Sequence, residues 1–136
     1  MISYRTGNIL DLDAVIDLYR ASTLGLRRPI DDRTRMQQMI GNANLVITAW
    51  DQDLLVGISR SLSDFSYVTY LSDLAVRESH QRQGIGKELI RLTQEAAAPA
   101  SIILLAAPAA EQYYPHIGFT HHPHAWKLPA DAKLHE

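Results

Sequence analysis

The segment Gln81-Arg82-Gln83-Gly84-Ile85-Gly86-Lys87 joins a β-branched, strand-like run ending near Val76 to an amphipathic helical run over residues 85–97. A strand that feeds a glycine turn into a helix leaves several backbone N–H groups without intrahelical partners, at the positive end of the helix dipole. Such a turn is a phosphate cradle. Its spacing excludes two common ligands. A triphosphate-binding P-loop needs Gly five residues before the Gly-Lys pair and Ser or Thr after it, and Gln81 and Glu88 stand there instead. A dinucleotide turn needs a third glycine where the chain has Leu89.

The wider stretch is more specific than its glycines. Leu71-Ser72-Asp73-Leu74-Ala75-Val76, followed after four residues by Gln81 through Leu89, resembles the acyl-CoA-binding motif of the GNAT superfamily of N-acetyltransferases. That motif, Gln/Arg-x-x-Gly-x-Gly/Ala, is met by Gln81, Gly84 and Gly86. About thirty residues on, Tyr113-Tyr114-Pro115-His116-Ile117-Gly118-Phe119 resembles the superfamily's Phe-Tyr-x-x-x-Gly-Phe segment. The resemblance implies acetyl-CoA as acyl donor. N–H groups of Arg82, Gln83, Gly84, Ile85, Gly86 and Lys87 would hold its pyrophosphate, with Gln81 opening the turn. The strand Leu74-Ala75-Val76 would run along the pantetheine arm, backbone groups of Leu74 and Val76 pairing with its amides. Glycine suits positions 84 and 86 because a Cβ would obstruct the close approach or the positive φ.

The chemistry makes further demands. A lysine-type amine must lose a proton before it attacks, at a cost of about 4.6 kcal/mol at pH 7. A departing CoA thiolate needs a proton, which a tyrosine hydroxyl can donate. Tyr114 matches the superfamily's usual general acid, and Tyr113 takes the place of a packing Phe. Ala107 replaces an Asn common in the superfamily, and Pro115 is also unusual there. The base is less defined. Asp73 lies in the cleft strand, yet simple alternation turns it away from Leu74 and Val76. Alternation puts Tyr70 on the Leu74 face, where it would be a poor base. A water chain ending on Asp73 or on a histidine is an equal candidate. His116, His121, His122 and His124 invite a metal reading. They lack a cysteine partner and straddle a turn, so no metal is expected. His121 or His124 near the acceptor, with Trp126 as an apolar wall, is the alternative use.

The remaining sequence frames these residues. With 136 residues and 46% hydrophobic content, the chain suits one domain over residues 1–136. Thirteen basic and fifteen acidic side chains give −2, and no Lys/Arg run is longer than Arg27-Arg28, so nothing marks a nucleic-acid surface and no nucleic-acid partner is expected. No apolar run approaches the roughly 20 residues that span a bilayer, and the first residues lack a signal-peptide core. A cytoplasmic protein is expected, with no membrane partner. Homodimerisation is compatible with these features. The chain has no cysteine, which rules out a Cys-bound acyl intermediate. Direct transfer is the simpler route.

Periodicity and turn residues predict a strand over 2–5, a helix opening at Asp11 and a second helix through Met36, Met39 and Ile40. They predict a hairpin of strands 45–50 and 54–61, a strand over 68–76, a helix from about Gly84 and a covered strand over 102–105. A short helix within 109–117 closes at Gly118, and residues 120 and 125–128 are candidate closing strands. Alone, this order gives an α+β class with a mixed sheet. The resemblance adds a GNAT-like acyl-CoA N-acyltransferase fold, with splayed central parallel strands flanked by helices. The implied activity is transfer of acetyl from acetyl-CoA to a primary amine of a small molecule or amino acid. A protein N-terminal or lysine acetyltransferase, or an acetyl-CoA-binding module without turnover, are the alternatives.

Overall fold

The computed structural model describes residues 1–135. The chain divides into two compact units, Met1–Leu105 and a shorter one from Ala106 onward.

The first unit is a five-stranded sheet of β1 (Ile2–Thr6), β2 (Leu45–Asp51), β3 (Leu54–Ser63), β4 (Val68–Val76) and β5 (Ser101–Ile103), in that spatial order. The first four are antiparallel, and β4 pairs with β5 in parallel. Helices α1 (Leu12–Arg20) and α2 (Arg33–Gly41) cover one face and α3 (Ile85–Ala97) the other. The i, i+3, i+4 spacing in α1 buries Val15, Ile16, Leu18 and Tyr19. Beside them Met36 and Ile40 of α2 meet Val46, Ile58 and Ala75 of the sheet. On the opposite face Ile85 and Leu89 of α3 pack on Leu45, Ile47, Ala49 and Val56. No helix among the described residues is long and apolar enough to cross a membrane.

Two departures from regular pairing matter for the site. Asp73 opposes Arg60 and Leu71 opposes Ser61, so Ser72 is an extra residue in β4. An inserted residue shifts the two-residue alternation and bends the strand. Leu71, Leu74 and Val76 therefore face α3, whereas Tyr70, Asp73 and Ala75 face the α1 side. The expected placement of Tyr70 on the Leu74 face is corrected by this bulge. The second departure is the short β5. Its ladder with β4 ends at the Tyr70–Ile103 pair, although an apolar strand is expected through Leu105. Beyond that pair, β4 continues alone on this edge to Val76.

Gly57 of β3 lets α3 approach the sheet. A Cβ there would lie 3.1 Å from both Ile85 Cγ2 and Leu89 Cδ1. Overpacking of such a contact costs about 1–3 kcal/mol. Gly57→Val should lower the free energy of unfolding by that amount, read from denaturant titration.

In the second unit, a 3₁₀ turn at Pro108–Ala110 leads to α4 (Tyr113–His116). Gly118 follows with φ +115, and Phe119 N–H donates to the Tyr114 carbonyl at 2.9 Å. This closes the helix as the glycine predicts. Residues 119–135 form no helix or strand, so the closing strands expected at 120 and 125–128 are absent from the described residues. Pro123 and Pro129 lack the N–H a ladder needs, and β-propensity without a pairing partner makes no strand.

Candidate functional site

The open edge of β4 meets the glycine turn in the first unit. Arg77 N–H donates to the Val56 carbonyl at 2.8 Å, which fixes the phase of the β3–β4 ladder. Antiparallel residues alternate in which neighbour their backbone addresses. Ala75 and Asp73 thus address β3, while the N–H and C=O groups of Leu74 and Val76 point to the edge that β5 has left. The Val76 carbonyl accepts the Gln81 side-chain amide at 2.9 Å. Gln81 thus closes the turn back onto the strand end.

Several contacts hold the turn in place. Glu78 N–H donates to the Ala21 carbonyl at 3.0 Å, and Arg77 reaches Asp17 at 3.0 Å. His80 bridges Ser79 Oγ at 2.7 Å and Asp51 Oδ2 at 2.8 Å. Arg82 at φ +64 and Gly84 at φ +83 then turn the chain into α3. A Cβ on Gly84 would meet nothing within 4 Å, so its left-handed backbone, and not crowding within the protein, calls for glycine. A side chain there would enter open space in front of the turn. Ile85 is buried and anchors the helix start, leaving its backbone as its polar contribution, and Arg82, Gln83 and Lys87 are exposed. The first N–H groups of α3 have no preceding helical carbonyl to meet. These groups suit an anionic diphosphate, and the β4 edge suits an extended amide-bearing chain.

Asp73 occupies a different environment. Its carboxylate is buried and accepts from Tyr19 Oη at 2.6 Å, Arg28 Nε at 2.6 Å and Arg60 Nε at 2.6 Å. Arg60 also donates to Ser72 Oγ and the Met39 carbonyl, and Arg28 to the Ser72 carbonyl. Burial pushes the Asp73 pKa up, but the hydrogen bond and charge of Arg60, then Tyr19 and Arg28, outweigh it and hold it below the usual carboxylate range. Burial, then the Asp73 charge, pushes the Tyr19 phenol well above its ordinary value. This network ties α1, β3 and β4 to the loop after the 3₁₀ turn Thr23–Arg27. Tyr19, Arg28 and Arg60 are not legible as its members from sequence. The one available signal is a charged Arg60 within an otherwise apolar and small-residue strand.

Tyr114, in the second unit, packs edge-on against Tyr113 at 5.3 Å and Phe119 at 5.4 Å between ring centroids. Burial, with Tyr113 adding to it, pushes its phenol up, so it keeps its proton at neutral pH. The His122 and His124 rings lie 5.8 Å apart, edge to face. Among the described residues no group of three or more His, Cys, Asp or Glu is arranged to hold a metal ion.

Comparison with known proteins bears on this geometry. A family model described as an acetyltransferase (GNAT) domain matches residues 25–125. The chain belongs to the GNAT acetyltransferase family. Among solved structures it is similar to a GNAT-family acetyltransferase of Streptococcus pneumoniae, with 27% identity, 88% of each chain covered and a TM-score of 0.74. It is similar in fold to the aminoglycoside N-acetyltransferase AAC(6')-Iy in complex with CoA, at 15% identity over 97% of this chain and 96% of that one, with a TM-score of 0.75. A Trypanosoma brucei acetyltransferase shares the fold at 18% identity, 95% and 99% coverage and a TM-score of 0.67. No curated protein sequence matches the chain. The mixed sheet with its parting parallel strands, covered by α1 and α2 on one face and α3 on the other, is the GNAT acyltransferase fold.

Proposed function

We propose that this GNAT protein transfers the acetyl group of acetyl-CoA to a primary amine of a small molecule or amino acid, by direct attack of the amine on the thioester. The observation that carries the reading is the parting of β4 from β5 beside the Gly84 cradle. Leu74 and Val76 would address the pantetheine amides through their backbone. The N–H groups from Arg82 to Lys87 would hold the pyrophosphate, and Tyr114 would protonate the departing thiolate. Support for a small-molecule amine comes from the fold shared with an aminoglycoside N-acetyltransferase.

The expected use of Asp73 as a base is revised in this proposal. A base works best with a pKa near the operating pH, whereas Asp73 is held low and its oxygens are taken by Tyr19, Arg28 and Arg60. Its role is to hold the β4 bulge, and the amine gives up its proton to solvent.

Acetyl-CoA should raise the melting temperature of the protein, because a ligand that binds the native state alone stabilises it by mass action. Gly84→Val forces a β-branched residue into left-handed backbone and fills the cradle. It should weaken acetyl-CoA binding about tenfold with a smaller effect on the apo melting temperature, as calorimetry and thermal scans would show. Absence of any melting shift in well-folded wild-type protein would remove the basis of the proposal. Exhaustive chelation should leave turnover intact, since thioester attack by an amine requires no ion. Loss of activity restored by a stoichiometric metal would refute this.

A further inference from the structure

We propose that the acceptor is an amine with an apolar or aromatic body and a carboxylate, of the amino-acid type, and not a polycationic sugar. This rests on the acetyl-transfer reading and names the substrate class of the same site.

β4 and β5 part after the Tyr70–Ile103 pair. At that point the two faces of the sheet differ. On the α3 side Ser61, Thr69 and Leu71 are buried, so that face is closed to a substrate. On the α1 side the residues opposite one another across three strands are Leu62, Tyr70 and Ile103. They are 45%, 39% and 46% exposed. Three adjacent strands span about 10 Å, enough to seat one aromatic or branched side chain. The bulge at Ser72 puts Tyr70 in this row.

Charge selects the other half of the acceptor. Arg28 and Arg60 share the single carboxylate of Asp73, and neither has a second acidic partner among the described residues. The cluster therefore carries one positive charge in excess. Arg60 is buried, and the Arg28 side chain is 22% exposed. Arg28 spends one N–H each on Asp73, the Arg27 carbonyl and the Ser72 carbonyl. A guanidinium has five, so two remain, one on Nη1 and one on Nη2, and a carboxylate is the anion a guanidinium binds well. Ser72 and Asp73, which hold Arg28, adjoin Tyr70 along β4, so the cation and the apolar row belong to one surface. A polycation would meet net positive charge there and no unpaired carboxylate from the cluster.

The test is release of free CoA thiol with L-phenylalanine, L-leucine, glycine, the decarboxylated counterparts phenethylamine and isoamylamine, and kanamycin. The protein has no thiol of its own to raise the background. The amino acids should exceed the corresponding amines at least about tenfold in kcat/KM, with kanamycin below both. Arg28→Gln should collapse that ratio toward one, Arg28→Lys should retain most of it, and acetyl-CoA affinity should change little in either. Tyr70→Ala should abolish the preference for phenylalanine over glycine. Equal or better turnover of phenethylamine or kanamycin would overturn the inference, as would an unchanged ratio in folded Arg28→Gln. If Arg28→Gln does not fold, the wild-type panel and Tyr70→Ala decide. Acetyl-CoA binding without turnover of any panel member would sink the inference and leave the acetyl-CoA site standing. If acetyl-CoA does not bind, the activity reading fails, and calorimetric titration of wild-type protein with L-phenylalanine against phenethylamine still reads the preference directly.

Discussion

Tyr114→Phe should lower turnover on the order of 10²-fold while leaving acetyl-CoA affinity nearly unchanged. The substitution removes one hydroxyl and keeps the ring, so the edge-on contacts with Tyr113 and Phe119 survive. A general acid acts in its protonated form, and burial raises the Tyr114 pKa, so the group stays competent through neutral pH. The alkaline limb of the wild-type rate profile should therefore lie above the ordinary tyrosine range near 10, and Tyr114→Phe should abolish that limb. Tyr113→Phe, which restores the residue usual in the superfamily, should be almost silent. Steady-state kinetics with an identified acceptor, paired with calorimetry of acetyl-CoA, separates catalysis from packing. Full turnover in Tyr114→Phe, with chemistry shown to limit the rate, would make Tyr114 a packing residue and assign thiolate protonation to another group or to solvent.

Asp73→Asn should cost about 3–5 kcal/mol of unfolding free energy at neutral pH, since removing one partner of a buried ion pair leaves a buried charge uncompensated. Arg60 is that charge, with its side chain 8% exposed. The folded pKa of Asp73 is depressed, so its contribution is fully present above the unfolded value near 3.9. It is lost as pH falls through the lower folded value. The gap between wild type and variant should hold steady from pH 5 to 8 and close only in strong acid. Urea titrations at several pH values test this. A variant as stable as wild type at pH 7 would show that the network does not anchor β4. A folded variant whose acetyl-transfer pH profile alone changes would return Asp73 to a role in proton transfer.

What the sequence determined by itself is what local chemistry determines. The glycine turn is readable because Gly84 must adopt a positive φ at a helix start, whatever lies around it. The helices are readable because burial of Val15, Leu18 and Tyr19, or of Ile85 and Leu89, follows a 3.6-residue period. Strand 68–76 is bounded correctly by its own β-branched and apolar residues. The stretch that resembles the acyl-CoA-binding motif lies wholly within that strand, turn and helix, so it too is visible.

Tertiary structure decided whatever depends on a partner far along the chain. Asp73 meets Arg60 13 residues away, Arg28 45 away and Tyr19 54 away, and no short-range pattern encodes such a set. The strand expected through Leu105 ends at Ile103, where β5 leaves β4 although β4 runs on to Val76, and the apolar run gives no sign of that departure. The tail's β-branched and aromatic residues form no strand without a ladder. Most consequential is the bulge at Ser72. Alternation counts residues, but a face is set by which residues pair across the ladder, and one unpaired residue exchanges the faces on either side of it. That exchange, invisible in the sequence, places Tyr70 on the face of Asp73 instead of that of Leu74.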